Sequence, residues 1–331
     1  FTTAGVSPRN YLAAFDASTA TETAWDPSPT GEVYTMTISG GDLYCGGNIQ
    51  RLKGVSRSNL AALDRQTGAP TAWNPGTDGA VRAIKVLGSN IFVGGDFSVA
   101  VQSSAHLAVL SAVTGQLVSA GTSVPSPIYA LESLGDSVVF AGTPQTIGGV
   151  DNVVAGALDA SGNLLPWSMT SAAGATTAYA LAARNATSVS VGGDFTTLAR
   201  DTRQHLARLT VDDSAVGAWN PQANGTVRAL ADDGNTVYVG GSFGTLGGVT
   251  RNSIGALNPV TGAVRAWYPA SEGAVSALAT SASTVVVGGS FRNIGLHSRT
   301  FLAAVDKVTG VARAWDPHPG DVVNALQVAD G

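Results

Sequence analysis

The chain has 331 residues, of which 44% are hydrophobic and 12% charged, with a net charge of −5. That is ample apolar material for a large core and far too little charge for a disordered chain. No basic cluster offers itself to nucleic acid, and the longest apolar runs, such as residues 178–183, are strand-length, so no membrane span is expected.

In chain order, one unit of about 48 residues recurs seven times. Its "LAAL"-type segment begins at Leu12, Leu60, Leu107, Ala155, Leu206, Ile254 and Leu302, at spacings of 48, 47, 48, 51, 48 and 48. Each copy holds four short strand candidates. Two copies, beginning at Val237 and Val285, show the full pattern, and in the first of them the strands read a ("VSALA"), b ("VYVGGSF"), c ("SIGALN") and d ("VRAWYP"). Turn residues such as Thr261-Gly262 and Pro269 punctuate them. Both strand faces are small or apolar, as sheets packed between two other sheets require. Four strands in each of seven repeats predict an all-β, seven-bladed β-propeller built as one domain over residues 1–331.

Glycine pairs close strand b at Gly46-Gly47, Gly94-Gly95, Gly192-Gly193, Gly240-Gly241 and Gly288-Gly289. They suit a bulge or a close approach between blades. Tryptophans recur in strand d at Trp25, Trp73, Trp167, Trp219, Trp267 and Trp315, the pattern of plates wedged between blades. The copy spanning 91–131 lacks this tryptophan, and the next reads "PWSM". Strands a, c and d occur seven times but b only six, because Phe1 aligns with Phe243, just after the place of "VYVGGS". One blade is therefore expected to be shared between the termini and to draw its b strand from a longer protein. The single cysteine, Cys45, replaces the valine of "VGG" and reads as a small buried hydrophobe.

Three segments carry a resemblance. The hydrophobic run ending in Gly-Gly resembles the kelch repeat. "AALDRQTGAPTAW" (61–73) resembles the tryptophan-docking motif of quinoprotein propellers, with one extra residue between Gly68 and Trp73. The whole period, with "GGDFTTL" at Gly192 and "HLARL" at His205, is similar to delta-60-type repeats of large bacterial surface proteins. The resemblance implies architecture and says little about activity. It agrees with a composition of only four Glu and three Lys among many Ser, Thr, Gly and Asn. An extracellular or cell-surface location is expected.

Strand a should line the central channel. Its second position reads Tyr34, Arg82, Tyr129, Tyr179, Arg228, Ser276 and Asn324, and its fifth includes Lys85 and Glu132. Tyr34, Arg82, Lys85, Tyr129, Glu132, Tyr179 and Arg228 are thus the candidate ligand-binding residues at the channel mouth. They suit stacking on a sugar or gripping an anion, or else simply pack around water. Lys85 and Glu132, level with each other in adjacent blades, read as an ion pair.

Arginines before strand c (Arg9, Arg57, Arg203, Arg251, Arg299) and aspartates after it (Asp16, Asp64, Asp159, Asp306) recur around the ring and read as structural. His106, His205, His297 and His318 lack ligand spacing. The acidic pairs Asp212-Asp213 and Asp232-Asp233 do not match a calcium loop, and "ADDGN" reads as the a–b hairpin turn. No nucleotide, dinucleotide or hydrolase motif occurs, so no cofactor, metal or catalytic residue is expected.

The function expected is a non-enzymatic recognition or scaffolding domain of a secreted or cell-surface protein, with a protein or glycan partner at a face and adjoining domains of the same chain. The alternatives are a polysaccharide lyase or hydrolase acting at the channel mouth and a building block of a surface filament or layer. Sugar hydrolysis requires two facing carboxylates roughly 5–10 Å apart, and the repeat alignment puts only Glu132 in the channel.

Overall fold

A computed structural model describes residues 1–98, 105–119, 122–171, 176–210 and 215–329. Asp212 and Asp213 lie outside the described residues. All secondary structure among these residues is β, in antiparallel sheets, with no helix.

Six sheets repeat one order, a-b-c. Their strands are Val33–Ser39, Asp42–Gly47 and Leu60–Asp64; Val81–Leu87, Asn90–Gly95 and Leu107–Ser111; Ile128–Leu134, Ser137–Ile147 and Val150–Leu158; Ala178–Ala183, Ser188–Gly193 and Leu206–Thr210; Thr226–Asp232, Val237–Ser242 and Ile254–Leu257; and Val275–Thr280, Thr284–Gly289 and Leu302–Asp306. Each a strand lies beside the a strand of the next sheet, in sequence order. The b and c strands are buried on both faces, which is why their residues do not alternate apolar with polar.

The glycine pair is what lets adjacent sheets close up. A Cβ on Gly240 would lie 2.5 Å from the Cγ1 of Val275, the first residue of the next a strand. Gly94 stands in the same relation to Ile128, at 2.7 Å. The third copy has Ala141 in place of the first glycine, and there the facing residue is Ala178, not Val or Ile. The lost space on one side is recovered on the other.

The fourth strand is less uniform than the repeat predicts. Leu117–Ser119, Leu164–Thr170 and Ala215–Val216 pair as d strands, but elsewhere d makes a single bridge, as at Leu63↔Pro70, Leu257↔Val264 and Val305↔Ala312. The two longest d strands belong to the copies without the "AWxP" pattern. The tryptophan of segment d is committed to the neighbouring copy whether or not d forms a strand.

That commitment runs from repeat to repeat. The indole N–H donates to a carbonyl in the c–d turn of the following copy: Trp73 to Ser111 (2.9 Å), Trp167 to Thr210 (2.9 Å), Trp219 to Asn258 (3.1 Å) and Trp267 to Asp306 (2.8 Å). Trp25 reaches Asp64 at 3.4 Å, and Trp315 reaches back to Asp16 at 2.9 Å. The turn glycine completes the contact. Gly262, at φ +74°, has the Trp219 indole (3.3 Å to Cδ1) and Pro221 Cδ (3.6 Å) over the place of its Cβ. Where the tryptophan is missing, Thr122 substitutes, its N–H donating to Gly162 O (2.9 Å) and its Oγ1 accepting from Leu164 N (2.7 Å).

The two ends of the chain meet. Besides Trp315 and Asp16, Ala4 bridges Pro319, Gly5 N donates to Pro317 O (2.9 Å) and Gly320 N to Thr3 O (2.9 Å). The recurrent polar residues are internal props. Arg9, Arg57, Arg203, Arg251 and Arg299 each donate to a carbonyl fourteen residues on, in segment d. Asp64 and Asp306 accept turn N–H groups two and three residues ahead, which holds their carboxyls below the usual range.

Two outcomes follow. Gly240→Ala destabilises the fold by about 1–3 kcal/mol through overpacking, and adding Val275→Ala recovers part of that loss; urea unfolding of the double-mutant cycle measures it. Trp315→Phe costs about 1 kcal/mol, one net hydrogen bond, and speeds amide exchange at Gly5 and Gly320.

Candidate functional site

One cavity of about 620 Å³ is lined by segments from all seven repeats. Apart from Glu32, the residues lining it come from the second, third and fourth positions of the a segments: Tyr34, Arg82, Tyr129, Tyr179, Arg228, Ser276 and Asn324 at the second position, with small residues and Leu, Ile or Met behind them.

The backbone explains why six of these seven positions converge. In every one of the six paired a strands the register skips its second residue: between Val33 and Thr35, Val81 and Ala83, Ile128 and Ala130, Ala178 and Ala180, Val227 and Ala229, and Val275 and Ala277. A bulge leaves one residue without a cross-strand partner and re-aims its side chain. The second glycine of each pair makes the bulge possible. A Cβ on Gly95 or Gly241 would collide with the carbonyl oxygen of Ala80 or Thr226, just before the bulge.

Five of the side chains form a continuous arc. The Arg82 guanidinium lies over the Tyr34 ring (4.5 Å to the centroid) and within 5.9 Å of Tyr129. The Tyr129 and Tyr179 rings meet at 5.5 Å with a 59° tilt, and Arg228 lies 5.5 Å from the Tyr179 centroid. These are cation–π and tilted aromatic geometries.

Acidic residues sit behind the arc and serve as acceptors. Asp96 takes both Nε (2.8 Å) and an Nη (2.6 Å) of Arg82. Asp194 accepts from Thr177 N and from the Tyr179 hydroxyl (3.3 Å), and Glu32 accepts from the Tyr34 hydroxyl. Among the described residues Arg228 makes no ion pair, and it is exposed. Partial burial pushes the phenols of Tyr34, Tyr129 and Tyr179 up from 10, with the hydrogen bond to Glu32, the charge of Asp96 and the charge of Asp194 adding to it respectively. At neutral pH all three hydroxyls are therefore donors.

Lys85 and Glu132 form an ion pair with each other and are not among the residues lining the cavity. The other expected residues, Tyr34, Arg82, Tyr129, Tyr179 and Arg228, all line it. Sequence reasoning overlooked Asp96, Asp194 and Glu32. A signal existed for the first two: the residue after Gly-Gly is acidic only in the copies of Arg82 and Tyr179, and is Asn48, Ser242 or Ser290 in others.

The histidines are not brought together. His106 and His205 each hold a b-strand carbonyl, Gly95 O (2.9 Å) and Gly193 O (3.2 Å), and His318 pairs with Asp316 (2.7 Å). Among the described residues no group of three His, Cys, Asp or Glu could hold a metal. Cys45 is fully buried, and burial pushes its thiol up to about 12.

No family model matches the chain, and no curated protein does. Among solved structures it is similar to the crystal structure of the computationally designed Ika8 protein, with 17% identity over 91% of each chain and a TM-score of 0.59. The likeness is one of fold alone.

Tyr34, Tyr129 and Tyr179 titrate above the ordinary value of 10. An unfolded chain loses those protons first, so their contribution is complete below pH 10 and disappears as pH rises through the folded values. In spectrophotometric titration, Tyr129→Phe and Tyr179→Phe should each remove one late-titrating phenol from the wild-type curve, leaving those of Tyr34, Tyr44 and Tyr238.

Proposed function

We propose that this chain is a seven-bladed β-propeller that acts as a non-enzymatic recognition domain of a secreted or cell-surface protein, and that the cavity mouth binds a saccharide. The observation that carries the reading is the arc Tyr34–Arg82–Tyr129–Tyr179–Arg228, five bulge residues stacked on one another around a common cavity. Seven repeats, end-to-end contact through Trp315 and Asp16, and a cavity lined by every repeat support the architecture.

Several features favour a polyhydroxylated ligand over a simple anion. The walls offer aromatic faces, phenol and guanidinium donors, and acceptors in Glu32 and Asn324. Arg82 is already neutralised by Asp96, so positive charge is not concentrated. A volume of about 620 Å³ lies within the range of small-ligand pockets, roughly 300–1,000 Å³. The acids near the mouth hold Arg82, Tyr34 and Tyr179 in place, which is a positioning task and not that of an acid–base pair.

A glycan array followed by calorimetry tests the reading. Tyr129→Ala and Arg228→Ala should each weaken saccharide binding about tenfold or more, equivalent to ~1.4 kcal/mol, with unchanged unfolding midpoints. Binding that survives both substitutions, or release of a cleaved glycan, would overturn it.

A further inference from the structure

The seventh repeat contains a second cavity, larger than the first. It measures about 1,260 Å³ and lies between residues 12–15, which are the c segment of that repeat, and residues 323–329, which are its a segment. Residues 323–328 have the a-strand sequence but pair with no strand among the described residues. In each of the other six sheets a b strand lies between a and c.

Burial shows what the two edges are shaped for. Phe15 is half-buried, whereas the equivalent Leu63, Leu110, Leu158, Leu209, Leu257 and Val305 are all fully buried. Across the cavity, Val286 is half-buried, whereas the equivalent Tyr44, Phe92, Val139, Ser190 and Tyr238 of the other b strands are at most 4% exposed. Both residues line the cavity, together with Leu12, Val33, Leu326 and Val328. Val33 occupies the position that Val275 and Ile128 hold elsewhere, each packed against the first glycine of a b strand.

The far end of the missing element is also marked. Phe1 O accepts from Tyr11 N (2.9 Å), as Phe195 O does from His205 N (2.8 Å) and Phe243 O from Ser253 N (2.8 Å). The hairpin Thr3–Ala4/Ser7–Pro8 follows Phe1 as Thr245–Leu246/Val249–Thr250 follows Phe243. Phe1 therefore stands where a b strand has just ended.

We infer that this cavity is a strand-acceptor site. Its occupant is an extended peptide of the pattern apolar–x–apolar–Gly–Gly–x, inserted antiparallel to both edges with its last residue against the amino nitrogen of Phe1. Main-chain hydrogen bonds to residues 12–15 and 324–328 hold it, in the manner of strand addition. Its apolar residues cover Phe15 and Val286, and its first glycine admits Val33. By the register of the sixth sheet, that glycine pairs with Leu12 and Ala325, and the apolar residue before it with Ala13 and Leu326. The inference rests on the seven-repeat reading and is independent of what the first cavity binds.

The test uses the whole 331-residue chain with the hexapeptide Val-Tyr-Val-Gly-Gly-Ser, its own residues 237–242, joined ahead of Phe1. Amide exchange at Ala13, Phe15, Ala325 and Gln327 should slow by roughly tenfold or more, and the unfolding midpoint should rise. The same hexapeptide with both glycines changed to valine should produce neither effect. The acetylated hexapeptide, added free to the unextended chain, should slow exchange at the same four amides. Equal protection by the valine version, or unchanged exchange with the joined glycine version, would overturn the inference. So would a dimer of the unextended chain in which those amides are already protected, since a second copy would then be the occupant. Saccharide binding measured on the same samples reports on the first cavity alone, so the two proposals fail separately.

Discussion

Close approach of one sheet to the next at the Gly-Gly pair is the constraint on which the rest of this structure depends. The first glycine admits the leading Val or Ile of the following sheet, and the second admits a carbonyl of its own sheet's a strand. Neither space exists once a Cβ is present. From the second contact comes the bulge, and from the bulge comes the aim of six side chains at one cavity, which Asn324 joins from the unpaired seventh segment. A packing requirement thus presents one variable residue per repeat to a common space.

The third copy shows how far that requirement bends. Ala141 replaces the glycine and Ala178 the facing valine, so the sum of the two side chains stays small. In the second copy the inter-repeat tryptophan is gone and Thr122 carries two hydrogen bonds to the neighbouring turn instead. Departures from the repeat are compensated locally in both cases.

Two cavities of different character result. The one lined by all repeats is polar at its mouth, where Asp96 meets the charge of Arg82, Asp194 and Glu32 accept from phenols, and Arg228 makes no ion pair among the described residues. The one in the seventh repeat is a slot bordered by unpaired strand edges and apolar side chains. The first is proposed above to take a saccharide, the second a polypeptide backbone. The same repeat geometry accounts for each: convergence of bulges in one, an unpaired a segment facing a c segment in the other.

Much of this was legible in the residues. The 48-residue period, the recurrence of Gly-Gly and Trp, and the six b strands follow from identity at fixed spacing, which survives in one dimension. The residues Tyr34, Arg82, Tyr129, Tyr179 and Arg228 were also found that way, because a variable position inside a conserved pattern stands out within a single chain. What spacing cannot express is direction. Whether the second or the fifth position of strand a faces the cavity depended on the bulge, which turns the second inward and leaves Lys85 and Glu132 to pair with each other. The acceptors Asp96 and Asp194 come from strand ends fourteen and fifteen residues away and meet their partners only when the a and b strands pair. Period and composition therefore determined the repeat and its candidate positions. The tertiary structure alone decided which side chains share a space, because a hydrogen bond or a ring contact is a distance between atoms that the chain order does not contain.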